Sequence, residues 1–271
     1  MHPRIYCAPV KPAEPSPDAA APQGPPSEPQ TPESEGPRSN KGMTFGEVLK
    51  QDARQAPAAL WDGTKKSFAA PKNLAILAVA FGADLAVRYN IDESVRDYTA
   101  HHHTSLHETG DFGTVIGNPF LHFGVACAWY GVAVQRQDDR QHELAKTLIE
   151  ALAINDAVTQ MLQVSAYDEA PNGQKFGWPS GHTSSSICFA SVIHEFYGWK
   201  AALPLYALAG YSAASRIEDR EHDVSDLVFG AALGWVVGHS IAGGEPPQVA
   251  GFYVMPYVDP GSSGLMLMKS W

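Results

Sequence analysis

The chain is short of cysteine, with three in 271 residues. Cys7, Cys127 and Cys188 stand at separations that fit neither a metal site nor a disulfide framework. Cys127 ("VACAWY") and Cys188 ("SICFAS") lie in apolar runs and are expected in the core. Cationic side chains are also scarce. Lys and Arg number 19 against 29 Asp and Glu, a formal net charge of −10. That balance argues against non-specific binding to nucleic acid or to anionic lipid surfaces. The first residues carry no apolar h-region and are not expected to act as a signal peptide, and "RIYC" is a poor lipoprotein cleavage site. No internal repeat is visible.

What is present divides into three stretches. Residues 1–42 hold eleven of the 21 prolines, mixed with Ser, Glu, Gln and Ala. Such a segment cannot bury enough apolar surface to offset its ordering entropy, and is expected to be disordered. Residues 43–245 open on Thr44 and Glu47, spaced as a capping box. Six apolar segments follow, near 74–88, 114–134, 144–163, 182–199, 201–214 and 225–242. Their Ala, Leu, Val and Gly content, their length and their sparse alternation predict helices. Residues 246–271 read instead as two short strands around a "DPGSSG" turn. The expected fold is all-α, a bundle of about six core helices with a hairpin-like C-terminal tail.

A membrane-spanning helix needs about 20 mainly apolar residues. Segment 114–134 has the length but includes Asn118, Pro119 and His122. Segment 74–88 is shorter and contains Asp84, and 144–163 carries Glu150, Asn155 and Asp156. The last segment is apolar almost all round from Leu227 to Val237, as either a span or a buried core helix would be. These features favour a soluble or peripheral bundle, with membrane association left open.

Two polar stretches carry chemistry. In "KFGWPSGHTSSS", Pro179 suits the first position of a helix, Ser180 and Thr183 are capping types, and Gly181 permits close backbone approach. The free N–H groups of such a helix start attract anions. His182 would project from the first turn, although an ordinary cap with a chance histidine reads the same way. In "SRIEDREHDVSD", a helix starting near Asp223 or Ser225 would put Asp226 one turn beyond His222. The carboxylate could then take the ring N–H, fixing the tautomer and freeing the other nitrogen to attack. Arg216 offers a planar fork of donors for phosphate oxygens. The bland reading is a solvated loop, and Glu218, Asp219, Arg220 and Glu221 look like solvated surface. In "HHHTSLHETGD", His103 and His107 with His101 or Glu108 could share a metal on a helix. Chance clustering on a polar face is the better reading, and no metal is expected.

Taken together, "PSGH" and Ser-Arg-x5-His-x3-Asp resemble the type-2 phosphatidic acid phosphatase and vanadium haloperoxidase superfamily, over about residues 70–245. Pro179, Ser180, Gly181 and His182 match its middle motif. Ser215, Arg216, His222 and Asp226 match its last one. "LVFGAALGWVVG" is similar to its Gly-rich closing helix. The resemblance implies His222 as a nucleophile forming a phosphohistidine, Asp226 as its orienting partner, and His182 as the acid that protonates the leaving oxygen. It also implies Arg216, Ser180, Ser215 and the Gly181 N–H as the phosphoryl holders, without a metal.

The family's first motif, Lys-x6-Arg-Pro, is in register only with residues 163–171. There the lysine position is Gln163, the arginine position is Ala170, and only Pro171 is kept. An arginine on a phosphoryl transition state is worth roughly 10³–10⁵ in rate. Lys175 and Arg220 are candidate substitutes, and Gln163 keeps a hydrogen-bond donor without the charge. The leading expectation is a metal-independent, acid-phosphatase-like hydrolase of a phosphomonoester, a lipid phosphate or isoprenyl diphosphate among the candidates, that can work at reduced rate. The alternative is a catalytically impaired member that binds a phosphorylated ligand or serves structurally. A haloperoxidase with vanadate as cofactor comes last, because a bound vanadate leans on the same missing cations. The resemblance also implies a periplasmic or cell-envelope location.

Overall fold

A computed structural model describes residues 40–102 and 110–243, together with strands at 248–249, 252–259 and 262–268. Almost all of the proline-rich stretch, and His103, His107 and Glu108 of the histidine cluster, lie outside the described residues. Helix α1 spans Phe45–Phe68, and its capping box forms as expected. The Thr44 N–H donates to Glu47 Oε2 at 2.8 Å, and the Glu47 N–H to Thr44 Oγ1 at 3.4 Å. Helix α2 is Pro71–Val87; it passes through a π turn, Arg88–Asp92, into α3, Glu93–His101. Then come α4 (Gly110–Ile116), α5 (Pro119–Gln135), α6 (Asp139–Ala166), α7 (Gly181–Tyr197), α8 (Trp199–Glu218) and α9 (Val224–Ile241). The protein is all-α apart from its end. There β2 (Phe252–Asp259) pairs antiparallel with β3 (Ser262–Met268), and β1 (Gln248–Val249) adds a third short strand to the expected two.

Two segment boundaries differ from expectation. Segment 114–134 is two helices, because Asn118 Oδ1 accepts the Phe120 N–H at 2.8 Å and caps α5, with Pro119 in its first turn. Segment 74–88 does not stop at Arg88. The polar residues after it stay helical through the π turn, giving a 31-residue run, Pro71–His101, of which only 11% of the most apolar window is buried. Leu74, Val79, Phe81 and Leu85 face outward from it, as Phe120, Leu121, Val125 and Val132 do from α5. Cys188 is buried as predicted, but Cys127 is exposed.

The core forms where α6, α7 and α9 meet. Leu144, Leu148 and Leu152 of α6 pack with Cys188 and Val192 of α7 and with Leu233 and Val237 of α9. The contact of α7 with α9 is made by backbone. Gly230, Gly234 and Gly238 lie four apart on one face of α9. A Cβ on them would sit 2.8 Å from the Ser180 carbonyl oxygen, 2.1 Å from that of Ser184 and 2.7 Å from that of Cys188. Only glycine permits an approach this close. The Ser180 N–H also donates to the Asp226 carbonyl at 3.2 Å, tying the start of α7 to the start of α9.

Candidate active site

That tie brings the two histidines into one cleft of about 620 Å³, lined by His182, His222, Gly181, Gln163, Ala170 and Glu221 among others. His222 lies in the loop between α8 and α9 and is buried. Its Nδ1 is 2.8 Å from the carbonyl oxygen of Gly177. A carbonyl only accepts, so in the neutral ring Nδ1 carries the proton and Nε2 keeps its lone pair. The sequence pointed to Asp226 for this contact. Asp226 Oδ2 is 3.5 Å from Nδ1, so Gly177 is the nearer acceptor and the carboxylate stands behind it as a negative charge. Asp226 is itself held in place. Oδ2 accepts the Asp223 N–H at 2.8 Å, completing a capping box on α9, and Oδ1 lies 3.4 Å from Arg88 Nη2.

His182 occupies the first turn of α7, next to the N-cap Ser180. Its Nε2 is buried and has no hydrogen-bond partner among the described residues. Burial, reinforced by the positive charge of Arg216, lowers its pKa to about 4, so the ring is neutral near pH 7. A buried polar atom left in this state is costly unless a ligand meets it.

The remaining residues sort into those at the cleft and those behind it. Ser180 is fully buried, and its Oγ accepts the Thr183 N–H at 3.4 Å; it caps α7, and Pro179 stands one residue before the cap rather than in the first turn. Ser215 is equally buried, donating to the Ser212 carbonyl at 2.8 Å and packed where a Cβ on Gly113 would clash. Arg216 is fully buried under the cleft. Its Nη1 donates to Glu221 Oε2 and its Nη2 to Asp219 Oδ2, each at 2.7 Å, and Nη2 also meets Thr114 Oγ1. Asp219 and Glu221 thus remain partly exposed but are committed to the buried arginine, and Glu218, expected at the surface, is buried. They clamp the arginine, and Glu221 lies between it and the cleft.

On the opposite side, the Gln163 Nε2–H donates to the Pro179 carbonyl at 2.9 Å, a neutral tie that steadies the loop before α7. Ala170 is buried and brings no charge. Lys175 lines the cleft and is ion-paired with Glu169. Arg220 donates to the Pro171 carbonyl at 3.2 Å and does not line the cleft. Sequence reasoning missed three contributors. The Gly177 carbonyl has no signature at all. Arg88 comes from a distant helix, and its partners Asp168 and Asp226 lie 80 and 138 positions away. Asp156, on the cleft wall, was read only as a polar interruption of α6; burial pushes its pKa up to about 6. No group of three or more His, Cys, Asp or Glu able to hold a metal ion occurs among the described residues.

Residues 155–244 match the family model of the PAP2 superfamily. The chain is similar to a lipid A 4'-phosphatase of Helicobacter pylori, 36% identical over 59 residues, which are 22% of this chain and 30% of that protein. It is also similar to a lipid A 1-phosphatase of Porphyromonas gingivalis, 41% identical over 66 residues, 22% of this chain and 14% of the relative. The matched part thus spans less than a third of either relative. Among solved structures, the first transmembrane PAP2 type phosphatidylglycerolphosphate phosphatase from Bacillus subtilis superposes with a TM-score of 0.53 at 16% identity, covering 64% of this chain and 96% of that one. The segment that holds both histidines is thus the one that matches the PAP2 superfamily model, and the fold is like that of a PAP2 type phosphatase.

Proposed function

We propose that the protein is a membrane-associated phosphatase of lipid phosphates that works through a phosphohistidine on His222. The observation that carries this reading is the Gly177 carbonyl on His222 Nδ1, which leaves Nε2 unprotonated in the cleft that also holds His182. The Nε2 lone pair attacks phosphorus, the bond from phosphorus to the ester oxygen breaks, and the departing oxygen takes a proton from His182. With its pKa near 4 His182 is neutral near pH 7, so the phosphate that arrives beside it must bring or recruit that proton, its negative charge raising the pKa. A water then attacks the phosphohistidine while His182 accepts its proton. The P–N bond breaks, inorganic phosphate leaves and His222 is restored.

Arg216 and the N–H groups at the start of α7 supply the positive field for the phosphoryl oxygens. For Arg216 to do so, Glu221 has to yield its place to the phosphate. The names of the two matched relatives support a lipid phosphate as substrate. The run Pro71–His101 and helix α9 are each long and apolar enough to cross a membrane, which supports a membrane or envelope location; a cleft on the periplasmic side follows from the family resemblance alone.

A second reading rests on a specific observation. With Gln163 and Ala170 uncharged and Arg216 clamped by two carboxylates, the site could hold a phosphorylated ligand without turning it over. The deciding experiment is phosphate release, without added metal, from p-nitrophenyl phosphate and short-chain phosphatidic acid, with acid-labile phosphoenzyme trapped in parallel. The phosphohistidine reading requires both signals in the wild type and neither in His222→Ala. Turnover that survives in His222→Ala would overturn it, and an inert wild type that still binds vanadate would select the second reading.

A further inference from the structure

The histidine cleft is not closed at its apolar end. A second cleft of about 700 Å³ lies between α1, α5 and α6, and Phe123, Cys127 and Ala153 line both. Along α6, Gln163, Gln160, Asp156 and Ala153 face the histidine side, and Ala153, Ile149, Lys146 and Glu143 continue into the second space. The second cleft exists because α1 presents small side chains to it. Ala53, Ala56 and Ala59 cannot fill the gap to α5 and α6, while Phe45, Leu49 and Leu60 make its rims apolar. The charges at its edge are partly satisfied from within. Asp52 accepts from Tyr130 Oη at 2.6 Å, lies 2.8 Å from His142 Nε2, and pairs with Lys146 at 3.1 Å.

We infer that this trough is the binding site for one hydrocarbon chain of the substrate, with Phe123, Cys127 and Ala153 as the waist between chain and phosphate. The inference deepens the phosphatase reading and rests on it only for the identity of the head group. Two features commit the trough to that occupant. It is continuous with the phosphoryl cleft, so a molecule polar at one end and apolar along the rest matches the two spaces in order. Its length matches as well. The ten steps from Ala153 to Glu143 rise about 15 Å at 1.5 Å each, half of a bilayer's hydrocarbon core of about 30 Å, which is the reach of one leaflet's chains. The trough's α1 wall lies outside residues 155–244, the segment that matches the PAP2 family model.

Cys127 makes the test direct, because its thiol is exposed at the waist whereas Cys188 is buried. In a full-length Cys7→Ser protein, maleimide modification of Cys127 is timed with dodecyl phosphate, butyl phosphate or dodecanol present, each below its aggregation limit. Dodecyl phosphate is expected to slow the reaction at least tenfold and butyl phosphate not at all. Ala56→Trp, which fills the trough away from the waist, should remove most of the dodecyl protection; an unchanged melting curve verifies that the variant is folded. Equal protection by butyl and dodecyl phosphate, or full dodecyl protection in a folded Ala56→Trp protein, overturns the proposal. Protection by dodecanol as strong as by dodecyl phosphate supports the chain site and counts against the phosphoryl reading. Because the assay reads binding, it answers even for a protein that releases no phosphate.

Discussion

The two walls of the histidine cleft are built on different principles. On the wall formed by α8, α9 and the loop between them, nearly every polar group is committed. Gly177 fixes His222, Asp223 and Arg88 fix Asp226, and Asp219 and Glu221 fix Arg216. On the facing wall, from Gln163 to Lys175, one neutral amide and one methyl group stand where the family places two cations. The first wall sets geometry and the second would ordinarily set charge. On that facing wall Lys175 is ion-paired with Glu169, so the hydrogen-bonded geometry of one wall and the charge of the other can be probed separately.

The largest effect belongs to the first wall. His222→Ala should lower turnover by on the order of 10⁴, a residue whose loss removes the reacting atom itself. Steady-state assays with p-nitrophenyl phosphate check it. Next comes repair of the second wall. Gln163→Lys with Ala170→Arg should raise turnover by roughly tenfold to 10³, up to the lower end of the roughly 10³–10⁵ that a positioned arginine supplies to phosphoryl transfer. Both positions line the cleft, so the new side chains have room to enter it. An unchanged rate would mean that the charge deficit is already made good elsewhere. A smaller effect is expected from Glu221→Gln, which replaces a charge-assisted contact on Arg216 with a neutral one. Vanadate should then bind about tenfold more tightly, roughly 1.4 kcal/mol, as measured by its inhibition constant.

The smallest effect concerns stability. His182 titrates near 4 in the folded chain and near 6.5 when unfolded. Between those values the unfolded chain binds the proton and the folded chain does not, so stability falls as pH drops from 6.5 toward 4. His182→Asn should flatten that part of the melting-temperature profile and leave the region above pH 7 unchanged. A bound phosphate should have a similar sign in another readout: by raising the His182 pKa it draws a proton from solution, visible as a buffer-dependent binding enthalpy.

Much of this site was legible in the sequence because its motifs are local. Pro179 to His182 lie at one helix start, and Ser215 to Asp226 span one short loop with the helix ends on either side, where spacing converts directly into direction. The glycines of α9 were visible too, and the structure adds their purpose. What stayed hidden involves partners remote in sequence or unmarked by side chain. The Gly177 carbonyl that orients His222 belongs to a residue 45 positions away, and any residue has a carbonyl. Glu221 looked solvated because a carboxylate on a buried arginine and one in water are written alike. Helix α3 carries too little apolar periodicity to be seen, α4 reads in the sequence as the start of the next helix, and the trough beside α1 is made by what alanines leave empty.

The glycine seam between α7 and α9 has a consequence of its own. Main chain rests on main chain at Gly230, Gly234 and Gly238, so no rotamer stands between the helix that carries His182 and the helix anchored beside His222. A joint without side chains has no soft mode: it can be closed or it can be parted, with little between. Thermal motion should therefore not loosen the active site by degrees. The two histidines should hold their spacing until the seam itself opens, and activity and this part of the fold should be lost in a single step.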